Sequence, residues 1–147
     1  MYELIERINE AADVKKFKAE ELDQLAVEIR EALFNRLTKI GGHFGPNFGM
    51  VEAEIAMHYV FNSPVDQFVF DVSHQSYPHK ILTGRKAGYI YDDHFFEDSG
   101  YTNPGESEHD LFNVGHTSTS ISLASGLVKA RDLKGEKRNV IAVIGDG

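Results

Sequence analysis

Three groups of residues in this chain have the types and spacing to hold a polar, anionic ligand. The first is Gly145-Asp146-Gly147, directly after the apolar run Val140–Ile144. In an open α/β sheet, ligands bind just outside the carboxyl ends of strands, where Asp146 would sit. The flanking glycines let phosphates approach the backbone. A carboxylate there suits Mg²⁺, which takes one or two protein oxygens and completes its shell with phosphate and water. Asp-Gly is also ordinary turn chemistry, and taken alone the tripeptide reads first as a turn. The second group is the stretch GHTSTS, Gly115 to Ser120. Thr117 or Ser118 can cap a following helix, whose first N–H groups and partial positive charge favour an anion. A plain capped helix explains this stretch equally well. The third group is histidine: His43 in a Gly-Gly-His loop, His74 and His79 in SHQSYPH, and His116 in GHT. Imidazole can donate to a diphosphate or move a proton near neutral pH. Histidines in an acidic chain are otherwise mostly solvated, the expectation for His58, His94 and His109. His74 and His79, five residues apart, do not share a helical face, and no HExxH occurs, so a zinc site is not predicted.

These groups need elements to position them. From Ala19 to Lys39, Leu22, Leu25, Ile29, Leu33 and Leu37 recur at spacings of three and four, which predicts an amphipathic helix ended by Gly41-Gly42. Glu21, Asp23, Glu28 and Arg36 fall on its polar side. The loop GGHFGPNFG carries His43 and Asn47, and a second helix is predicted from about Val51 to Phe61. QFVFDV, Gln67 to Val72, reads as a buried strand. A short helix follows within SHQSYPHKILTG. From Arg85 to Asp110 periodicity is absent, which predicts a long surface or active-site loop. A helix from about Ser118 to Asp132 has Ile121, Leu123, Ala124, Leu127 and Val128 as its apolar face, and Val140–Ile144 forms a second buried strand. Helices alternating with short apolar strands predict an α/β fold, here part of a doubly wound parallel sheet with flanking helices. A parallel strand is normally covered by a further crossover helix, so the sheet is expected to be incomplete after Gly147.

Composition narrows the classes. The 147 residues are 41% hydrophobic, enough for a core in one domain, and contain no cysteine, which excludes disulfides and thiolate chemistry. A net charge of −8 without a basic patch argues against nucleic acid as a partner. Neither a signal pattern nor a membrane-length apolar run is seen, so a cytoplasmic, membrane-free location is expected. An acidic protein must bind phosphate through backbone N–H groups, a helix start or a bridging cation. The residues lead that far, to a magnesium–diphosphate site.

Four stretches, taken together, resemble a known family. They are GGHFGPNFGMVEAEIAMHYVF, DVSHQSYPHKILTGR, ESEHDLFNVGHTSTSISLASGLVKARDLKGE and VIAVIGDG. Their order and spacing resemble the N-terminal part of 1-deoxy-D-xylulose-5-phosphate synthases, thiamine-diphosphate enzymes of the transketolase group. The resemblance implies thiamine diphosphate and Mg²⁺ as cofactors, pyruvate and glyceraldehyde 3-phosphate as substrates, and a homodimer. It also implies His43 near the reacting carbon as a proton-transfer group. By the same match, His74 contacts the cofactor, Gly115, His116 and Thr117 border it, Asp146 is the first Mg²⁺ ligand and Gly147 lies beside the diphosphate.

The chain departs from the family pattern at Ser73, where glycine is usual, at Pro46, where serine is usual, and in SGYTNPGES, Ser99 to Ser107, which lacks two basic residues. These changes bear on the acceptor more than on the cofactor. The second metal ligand, the glutamate that activates the aminopyrimidine and the phosphate-holding arginines are expected beyond Gly147. The 147 residues are therefore expected to be the first portion of a diphosphate-binding domain, inactive alone. The alternatives are a related transketolase-type enzyme with another acceptor, or a non-catalytic binding module.

Overall fold

The structure, a computed structural model, describes residues 2–145. The chain opens with α1 (Glu3–Glu6) and a 3₁₀ turn (Ala11–Lys16), then runs through α2 (Ala19–Ile40) and α3 (Gly45–Val60) into β1 (Gln67–Phe70). After β1 come α4 (Tyr77–Leu82), α5 (Ala87–Ile90), a 3₁₀ turn (Asp92–His94), α6 (Ser120–Lys134) and β2 (Val140–Val143). The two strands pair in parallel, with Gln67 opposite Val140 and Phe70 opposite Val143. This is a mixed α/β fold with a parallel sheet, as expected. Among the described residues the sheet consists of these two strands.

The apolar stripe of α2 forms the centre of the core. Leu25, Ile29, Leu33 and Leu37 are buried against Ile5, Ile8, Val51, Ile55 and Ile81. Two residues expected on its polar side are buried as well. Glu28 accepts the Leu4 and Ile5 N–H groups at 2.8 and 3.1 Å, satisfying orphan donors at the start of α1. Arg36 donates to the Phe95 carbonyl at 2.9 Å and lies 4.6 Å over the Tyr89 ring. The N-terminal segment and the stretch after α5 wrap around that side of the helix, so it is not solvated.

α3 begins at Gly45, earlier than expected, and Pro46 falls in its first turn, where a missing N–H is tolerated. The stretch from Arg85 to Asp110 is not a surface loop. Tyr89, Phe95, Thr102 and Asp110 are buried. Lys80, fully buried, donates to the Ser99 carbonyl at 2.8 Å and to Glu106 at 2.6 Å, and Arg85 forks onto Asp110 at 2.8 Å through each Nη. Buried cations from α4 and the turn after it thus fix a segment that has no hydrophobic period of its own. α6 differs in the other direction. Of its expected apolar face only Ala124 is buried, Ile121 is 55% exposed, and every residue of β2 is only partly buried.

Candidate functional site

The site lies at the carboxyl ends of both strands. Past Phe70 the backbone enters the left-handed region at Val72 (φ 57°) and Ser73 (φ 70°), which turns the chain sharply toward α4. A β-branched residue there is held only by its surroundings, at a cost of order 1–3 kcal/mol. Ser73 compensates through its side chain. Its hydroxyl donates to the Val114 carbonyl and accepts the Thr102 N–H, both at 3.0 Å. The usual glycine suits this backbone, and serine replaces conformational ease with two anchoring bonds.

Asn47 joins this turn to the glycine loop. Fully buried, it donates to the His43 and His74 carbonyls at 2.7 and 2.8 Å and accepts the Tyr77 N–H at 2.9 Å. The result brings His43 and His74 together, their rings 5.2 Å apart edge to face, with Tyr101 5.8 Å from His43. Gly42 (φ 135°) is needed for this approach, since a Cβ would stand 2.5 Å from the Leu37 side chain. Burial and the neighbouring His43 lower the pKa of His74, so its imidazole is neutral at pH 7.

A cavity of about 370 Å³ opens beside His74, lined by Pro46, Met50, Asp71, Val72, Gln75, Thr117 and the β2 end from Val143 to Gly145. Behind this lining His74 and Gln75 pack side by side, and the Gln75 side chain pulls the His74 pKa upward against burial. Nothing stands within 4 Å of where a Cβ on Gly115 or Gly145 would be. The walls are largely apolar, from Pro46, Met50, Val72, Val143 and Ile144, with His74, Gln75, Thr117 and open backbone at Gly145 as the polar groups, a mix that suits a ligand with an apolar body and a phosphate end. His74 and Thr117 line this space, while Gly115 and His116 form the exposed turn leading to it. Asp146 and Gly147 lie outside the described residues.

Several expectations are corrected here. The start of α6 does not leave all its N–H groups open to a ligand. The Asp71 carboxylate accepts those of Ser118, Thr119 and Ser120 at 3.0, 2.9 and 3.0 Å, and these bonds, Ser120 first, hold its pKa low. Neither Thr117 nor Ser118 caps that helix. His79 belongs to no ligand site, and His58 is not solvated. Both are buried, joined Nε2 to Nδ1 at 2.9 Å, and Nε2 of His79 meets Asp110 at 3.1 Å. Because the ionised Asp110 only accepts, Nε2 of His79 carries the proton and Nδ1 accepts from His58. That leaves Nδ1 of His58 bare, and it is indeed without a partner among the described residues. His109 is likewise partly buried, its Nδ1 2.8 Å from the Ser63 hydroxyl.

Comparison with known proteins bears on this geometry. A family model described as 1-deoxy-D-xylulose-5-phosphate synthase matches residues 5–147. The chain belongs to the 1-deoxy-D-xylulose-5-phosphate synthase family. Relatives of that name include one from Pelotomaculum thermopropionicum, 50% identical over 147 residues, covering 100% of this chain. Others are from Caldanaerobacter subterraneus, 51% identical over 144 residues and 98% of this chain, and Corynebacterium diphtheriae, 53% identical over 147 aligned residues and 98% of this chain. The chain spans 23% of the length of each of these curated relatives.

Asp71, Gln75 and Asn47 are the site residues that motif reading did not single out. Asp71 had a usable signal. It follows an apolar strand just as Asp146 does, and the strand-end rule applies to both.

Proposed function

We propose that this chain is the N-terminal portion of a thiamine-diphosphate- and Mg²⁺-dependent transferase that condenses pyruvate with glyceraldehyde 3-phosphate, releasing CO₂ and forming 1-deoxyxylulose 5-phosphate. The observation that carries this reading is the strand-end cavity, lined by His74, Gln75 and Thr117 beside the open Gly145 backbone, in a chain of this family. When bound, thiamine diphosphate would supply an electron sink for the electron pair left on the retained carbon when CO₂ departs. The chain's own residues bind and orient. Gly115, His116 and Thr117 border the cofactor, Gly147 lies beside its diphosphate, His74 contacts the cofactor from the turn after β1, and Asp146 holds Mg²⁺. His43, braced by Asn47 and packed against His74, moves a proton near the reacting carbon. Tyr101, brought to His43 by the Lys80 and Arg85 anchors, borders the acceptor, so the altered 99–107 stretch bears on which aldehyde is taken. The product would serve isoprenoid and thiamine synthesis in the cytoplasm, and the working enzyme would be a homodimer.

The test uses the longer enzyme that carries this segment. Calorimetric titration should show thiamine diphosphate binding that requires Mg²⁺, and Asp146→Ala should abolish it while circular dichroism stays unchanged. Equal affinity in the variant would make Asp146 a turn residue.

A further inference from the structure

Asp71 sits where the three segments of the site meet. Its backbone N–H donates to the Val143 carbonyl at 2.7 Å, locking the β1 end to the β2 end. The two residues after it make the left-handed turn that presents His74. Its carboxylate takes three successive N–H groups at the start of α6, directly after the Gly115–Thr117 turn. The same residue lines the cavity, so one full negative charge borders the space where an anion would enter. No lysine or arginine is among the lining residues, and His74 is neutral at pH 7.

We propose that Asp71 is a positioning residue whose carboxylate occupies the start of α6 in place of ligand phosphate, and that this makes diphosphate binding depend on a divalent cation. The inference rests on the diphosphate reading above and extends it to Asp71, to which the resemblance assigned no role. A helix start ordinarily neutralises a bound phosphate through its free N–H groups and its dipole. Here an internal anion already takes the first of those N–H groups, that of Ser120, together with the Ser118 and Thr119 N–H groups before it, and sits against the dipole. A diphosphate in the adjoining cavity then meets like charge with no lysine or arginine among the described lining residues to offset it, and a metal ion supplies the positive charge. The arrangement also frees the Gly115–Thr117 backbone, which Asp71 does not bond, to face the ligand.

The probe is inorganic pyrophosphate, titrated into the longer enzyme with Mg²⁺ and with EDTA. Asp71→Asn removes the charge, and Asp71→Ser removes it while keeping a short capping oxygen. The ratio of dissociation constants, EDTA over Mg²⁺, should fall about tenfold or more in either variant, because removing one nearby like charge favours the metal-free anion most. A ratio unchanged from wild type in a folded variant would overturn the inference and leave Asp71 a purely structural cap. Hydrogen exchange of the wild type in EDTA needs no variant. Pyrophosphate should leave protection of Ser118–Ser120 unchanged, and new protection there would mean that the ligand displaces Asp71, which also overturns the inference. Thiamine diphosphate titrated in parallel separates the two levels. A wild type indifferent to it with or without Mg²⁺ overturns the cofactor reading and this inference together, whereas normal Mg²⁺-dependent binding with an unchanged pyrophosphate ratio overturns only the role of Asp71.

Discussion

Replacing Asp110 with asparagine should be among the most damaging single changes in the chain. The carboxylate is fully buried and accepts four contacts: two from Arg85 at 2.8 Å, the Asn103 N–H at 2.8 Å and His79 Nε2 at 3.1 Å. An asparagine keeps one acceptor oxygen and turns two amide hydrogens toward groups that are themselves donors. At least one buried donor is then unpaired, and the Arg85 guanidinium, with its side chain only 11% exposed, loses its counter-charge. Breaking a buried pair from one side costs ~3–5 kcal/mol, a large share of a typical stability of about 5–15 kcal/mol. At a slope of roughly 2 kcal/mol/M, urea unfolding followed by circular dichroism at pH 7 should show the midpoint fall by about 2 M. The double variant with Arg85→Gln should be less destabilised than the sum of the two single changes, because it removes the stranded charge. A loss below ~1 kcal/mol, or strict additivity, would refute the reasoning and place the pair among solvated surface bridges.

Burial, working against the pull of Asp110, lowers His79 from 6.5 to about 4, so the folded chain holds it neutral while the unfolded chain protonates first. Its contribution is complete above about pH 6.5 and is lost as pH falls toward 4, by ~3 kcal/mol; His79→Gln should flatten urea-derived stability across that window, and an unchanged slope would exclude His79 as the source. In the longer enzyme, His43→Ala should lower kcat by ~10²–10⁴ with little change in thiamine diphosphate affinity. Steady-state kinetics beside calorimetry would check this, and an affinity collapse with normal kcat at saturation would reassign His43 to binding.

Much of this protein could be read from local pattern, because the information was local. The three-and-four spacing of Leu25, Ile29, Leu33 and Leu37 states which side of α2 is apolar, and that side is buried. Short apolar runs marked both strands, and the rule that ligands gather at strand ends pointed to the turn that carries His74. Periodicity says which residues share a face, but not what packs against the other one. Glu28 is buried because a donor 24 positions away needs it, and Asp71 caps a helix 49 positions on. Asp110 is paired across 31 positions with His79, which composition alone would leave in water. A charged or polar side chain enters the interior only where distant partners replace its hydration, and those partners are brought together only by the folded chain. For the same reason the Ser118–Ser120 N–H groups, expected to be open to an anion, are taken by an internal carboxylate. Only the tertiary structure decided that Asp71 would reach those N–H groups first.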